Sequence, residues 1–86
     1  MGAETLMSTK IPTAEIEQDI RDTEQEIAVT EAEIASLLLI PHASGDYKMA
    51  QFRIGARRTG IEERRVFIEK LRAILAERAS GEREHG

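Results

Sequence analysis

The sequence predicts an all-α fold: an antiparallel helical hairpin of two long helices, expected to dimerise into a four-helix bundle. Three observations carry the prediction. Apolar residues recur at four- and three-residue intervals in the first half and at seven-residue intervals in the second. A proline-bearing turn separates the halves, and the charges flanking the two apolar seams are opposite in sign.

Residues 1–12 show no periodicity and end in Ile11-Pro12, so they read as a flexible lead-in. The first helix is expected over 13–40. Thr13 is its candidate N-cap, with Glu15 and Glu17 close behind, where the helix dipole favours negative charge. Ile16, Ile20, Thr23, Ile27, Thr30, Ile34 and Leu37 then follow in unbroken 4-3 spacing, the narrow seam of an amphipathic helix. Pro41 cannot continue that helix, and PHASGD (41–46) supplies turn chemistry at a length usual for helix–helix connections. Ser44 or Asp46 is placed to cap the next helix.

The second helix is expected over 47–79. Ile54, Ile61, Ile68 and Leu75 recur every seven residues, with Leu71 at the intervening position. Gly55 and Gly60 each cost roughly 0.8–1 kcal/mol in a helix interior, so a break inside GARRTG is the alternative. The seven-residue phase crosses the stretch intact, which a loop has no reason to preserve. Gly81 is the expected stop, and 80–86 the expected disordered tail.

Charge fixes how the helices pair. The net charge of −4 divides unevenly: residues 1–46 carry ten acids and two bases, residues 47–86 ten bases and six acids. With Ile20, Ile27 and Ile34 at heptad position a, Glu17, Glu24 and Glu31 occupy e, and Asp19, Glu26 and Glu33 occupy g. With Ile54, Ile61 and Ile68 at a, position e holds Arg58, Arg65 and Arg72. In an antiparallel pair e faces e, which couples Glu31 with Arg58, Glu24 with Arg65 and Glu17 with Arg72. The two residue numbers in each couple add to 89, and that constancy places the fold-back inside the turn. Exposed pairs of this kind are worth only ~0.3–0.5 kcal/mol each, so they select register and orientation while the seams hold the fold.

The second helix also carries apolar residues that the first cannot cover. Met49, Phe52, Ala56, Gly60, Phe67 and Ile74 form a stripe beside the isoleucine seam, and Ala56 and Gly60 permit close approach of another helix. This stripe is the expected oligomer interface, and a dimer is the expected state.

Composition narrows the function. The chain of 86 residues has no cysteine, which excludes disulfides and thiolate metal sites. Its unbroken apolar runs, such as Leu37 to Ile40, are far shorter than the roughly 20 residues of a membrane span. No leader pattern opens the sequence, so a cytoplasmic location is expected. No catalytic, cofactor-binding or metal-binding set emerges. His42, Ser44 and Asp46 crowd one short turn, His85 stands in the tail, and Gly55 to Gly60 lacks the Gly-Lys-Ser/Thr ending of a phosphate loop. The expectation is a non-enzymatic protein–protein interaction module, an adaptor, regulator or assembly subunit working through helix faces. Asp19, Glu26 and Glu33 are its candidate partner surface, of which Glu33 has a neighbour in Arg53. The alternative is a nucleic-acid-binding hairpin dimer that uses Arg53, Arg57, Arg64 and Arg78 of the second helix.

Overall fold

A computed structural model describes residues 11–85, with side chains as far as residue 81. Residues 1–10 of the expected lead-in and Gly86 lie outside the described residues. Helix α1 spans Thr13–Leu38 and helix α2 spans Tyr47–His85. The two run antiparallel, packed along their lengths into a rod of 64 × 27 × 15 Å.

Pro12 begins α1 where Thr13 was the expected cap. Its backbone is extended (φ −59°, ψ 144°), and its carbonyl accepts the amides of Glu15 at 3.0 Å and Ile16 at 3.2 Å. The proline ring fixes φ, so the chain enters the helix without a side-chain cap. Thr13 becomes the first helical residue, and its Oγ1 accepts a hydrogen bond from Arg78 Nη1 at 3.1 Å.

The helix stops at Leu38, two residues short of the expected end. A residue preceding proline is driven out of the helical region, so Ile40 cannot belong to α1. The last turn tightens instead: Leu39 N–H reaches Ser36 O and Ile40 N–H reaches Leu37 O, both at 3.2 Å. In the turn, Ser44 Oγ accepts the Asp46 amide at 3.1 Å, and the Asp46 carbonyl accepts the first α2 bond from Ala50 at 2.9 Å. Of the two candidate caps, then, Ser44 contributes its side chain and Asp46 its backbone. His42 packs against Tyr47 with ring centroids 4.4 Å apart.

Helix α2 passes unbroken through Gly55 and Gly60, as the conserved seven-residue phase requires. It also passes through Gly81, where the expected end at Ala79 and the expected tail are overtaken by helix as far as His85. A glycine terminates a helix by turning to positive φ, and no described glycine does so. Ala76, Glu77, Arg78 and Ala79 are strong helix formers that carry the helix across the single unfavourable residue.

The core is one continuous seam. Ile16, Ile20, Ile27 and Ile34 of α1 interlock with Ile54, Ile61 and Ile68 of α2, with Leu37, Leu71 and Leu75 packed against them. Every a and d position of α2 from Tyr47 to Arg78 is buried or half-buried, including the arginines at d. A single layer of two helices covers only one stripe of each. The chain exposes 6846 Å², whereas a compact monomer of 9.6 kDa exposes about 5,100 Å². Its radius of gyration of 19.5 Å compares with about 12 Å for a globular chain of this length.

Candidate interaction surface

Two ladders of ion pairs flank the seam. On one side Arg65 Nη2 meets Glu31 Oε2 at 3.3 Å, and Arg72 Nη2 meets Glu24 Oε2 at 2.8 Å. On the other, Arg57 Nε donates to Glu33 Oε2 at 2.7 Å and Arg64 Nε to Glu26 Oε2 at 2.9 Å. All eight groups are partly exposed, so each pair is screened by water and salt.

The first ladder corrects the expected register. Each acid reaches the arginine one heptad farther along α2 than the e-to-e couples required: Glu31 takes Arg65 in place of Arg58, and Glu24 takes Arg72 in place of Arg65. Helical side chains lean toward their own N-terminus. In an antiparallel hairpin the glutamates of α1 therefore lean away from the turn and the arginines of α2 lean toward it. On this flank they meet where the arginine starts farther from the turn. The shift leaves Glu17 level with Ala79 and Arg58 level with Leu38, and neither Glu17 nor Arg58 has an ion-pair partner among the described residues. Arg58 instead borders an open groove of about 550 Å³ floored by Ile34, Ala35, Leu38 and Ile61.

The second ladder was not foreseen. Glu26 and Glu33, expected to be available to a partner, are held by Arg57 and Arg64, two of the four arginines expected to be available to nucleic acid. Glu33 pairs with Arg57, although Arg53 was its expected neighbour. The reason is the d position. An arginine there is half-buried at the edge of the seam, and its long stem delivers the head to the acid at g of α1. The signal was present in the sequence as two arginines at core positions opposite an acidic flank. Of the remaining candidates, Arg78 is hydrogen-bonded to Thr13, while Arg53 and Asp19 make no ion pair among the described residues.

The outer stripe of α2 is open to solvent. Met49 is 54% exposed, Phe52 73%, Phe67 45% and Ile74 39%, with Val66 alongside. Ala56 lies exposed between them and Gly60 is half-buried. A Cβ on Gly60 would stand 3.0 Å from Arg64 Nη1, so this glycine also leaves room for the guanidinium that reaches Glu26. Around Gly55 nothing lies within 4 Å of that position.

No protein-family model, curated protein or solved structure matches the chain. Its surfaces must be read on their own chemistry. Among the described residues no helix is long and apolar enough to cross a membrane, and no cluster of acids and histidines is arranged to hold a metal ion. No buried side-chain nitrogen or oxygen among them lacks a hydrogen-bond partner.

Proposed function

We propose that the chain is a non-enzymatic protein–protein interaction module, a small oligomeric adaptor, regulator or assembly subunit that works through its helix faces. The observation that carries this reading is the outer stripe of α2, where Met49, Phe52, Phe67 and Ile74 stand exposed in a row along one face. Contiguous apolar surface of this kind marks an interaction site. The ion pairs support the same reading over the nucleic-acid alternative. Arg57, Arg64, Arg65 and Arg72 are neutralised by acids of α1, and the net charge of −4 opposes a polyanion.

Sedimentation equilibrium of the whole chain across the micromolar range tests the proposal. The expected result is that the wild type sediments as a dimer or larger species and that Phe67→Glu weakens association by at least about tenfold while circular dichroism stays helical. A helical monomer throughout would remove self-association from the reading. A salt-titrated assay with duplex RNA and DNA decides the alternative: submicromolar affinity that falls steeply with salt would favour nucleic acid.

A further inference from the structure

We infer that the outer face of α2 is a self-complementary seam that docks antiparallel on α2 of a second copy, in a register that the sequence itself specifies. The inference rests on the self-association reading above and adds to it an orientation and an alignment.

The inner seam of α2 uses heptad positions a and d. The outer stripe repeats the same period at c and g: Met49, Ala56 and Glu63 fall at c, and Gly60, Phe67 and Ile74 fall at g. When two such helices run antiparallel, each c position meets a g position of the partner. One alignment sets Met49 against the partner's Ile74, Ala56 against the partner's Phe67, and Gly60 against the partner's Glu63. Two-fold symmetry then makes every couple twice.

Size complementarity selects this alignment. The half-exposed Phe67 ring is received by the small, exposed Ala56, whereas the space over Gly60 is taken by Arg64 Nη1. A parallel dimer would place Phe67 on Phe67 and Gly60 on Gly60, a collision followed by a gap. An antiparallel slip of one heptad would set Ala56 against Gly60 and leave Ile74 uncovered.

Charge is compatible with it. Arg53 and Glu77, also at g and c, make no ion pair among the described residues. Ion pairs between the antiparallel helices of this chain form either level with one another, as Glu33 does with Arg57, or one heptad beyond, as Glu31 does with Arg65. The same lean carries Arg53 to the partner's Glu77 at both ends of the interface. It also draws Arg53 away from the partner's Lys70; Glu63 and its own copy, beside the two-fold axis, are the like charges that remain close.

The absence of cysteine makes the test direct, because any introduced thiol is the only one present. Single-cysteine variants of the full chain are treated with a short bismaleimide. Glu63→Cys, beside the two-fold axis, links to itself. Met49→Cys, at the end of the seam, does not link to itself but links to Ile74→Cys when the two are mixed. Arg53→Glu weakens the dimer several-fold, and adding Glu77→Arg to it restores the affinity. Self-linking of Met49→Cys, or failure of Glu63→Cys in a chain that still sediments as a dimer, overturns this register and leaves the association reading intact. A wild-type chain that sediments as a monomer overturns both.

Discussion

The two faces of α2 obey one period and are built from different residues. The inner face repeats isoleucine at a, and Ile54, Ile61 and Ile68 are all nearly inaccessible. The outer face repeats nothing: Met49, Ala56, Gly60, Phe67 and Ile74 differ in size at every step. The difference separates two tasks. A uniform β-branched row packs well against a covalently tethered neighbour whose alignment the turn already limits. An uneven row of large and small side chains carries its own alignment, which is what a surface needs when nothing tethers its partner.

Substitutions across the two faces test this division, and the largest effect belongs inside. Ile54, 2% exposed, is the most enclosed large side chain. Ile54→Ala is expected to cost about 2–5 kcal/mol in chemical denaturation, a large share of the roughly 5–15 kcal/mol typical of a domain. Phe52→Ala, on the outer face, should change unfolding by less than about 0.5 kcal/mol in dilute solution. A comparable loss from both would dissolve the distinction.

The glycines give the next effect. Gly55→Ala meets nothing within 4 Å and should stabilise the helix by about 0.8–1 kcal/mol in a thermal melt. Gly60→Ala gains less, because its methyl group crowds Arg64 Nη1 at 3.0 Å, and it should weaken association where Gly55→Ala does not. Equal behaviour of the two variants in sedimentation would argue that the outer face carries no packing role.

The smallest effect comes from the flanks. Arg65→Glu should cost no more than about 1 kcal/mol, since both members of its pair are more than half exposed. Adding Glu31→Arg should recover the loss. The same addition to Arg58→Glu should recover nothing, which separates the observed ladder from the one that heptad letters alone suggest.

Much of the hairpin was legible because its signals are periodic or local. The isoleucines at 16, 20, 27 and 34 and their counterparts in α2 state the seam outright, and Pro41 states the turn. The turn's position against the seam also requires the helices to run antiparallel. What was not legible depends on how side chains lean and reach. Heptad letters place Glu31 opposite Arg58 as points on two cylinders, whereas the real groups tilt along the helix axis and meet a heptad away. The letters also assign arginines at d to the core, although Arg57 and Arg64 are only half-buried and pair with the acids at g of α1. Gly81 misled for a related reason: the residue type permits a stop without requiring one. The exposed stripe was visible from the start, but its role depends on a surface that a single chain does not contain.

The turn between Leu38 and Tyr47 contributes almost nothing to the interface it serves. Its hydrogen bonds stay within the connection and the adjoining turns of α1 and α2, while the seam and the four ion pairs among the described residues join α1 to α2 directly. Its task is to hold the two helices at a high mutual concentration, of the order of millimolar for a short link. Helix α1 has acids on both flanks and so resists pairing with its own kind, while α2 carries the matching arginines. A chain cut between Ser44 and Gly45 therefore amounts to two peptides that recognise each other. Severed and remixed, they are expected to reassemble as unlike halves, a split protein whose recovered helicity would report their encounter.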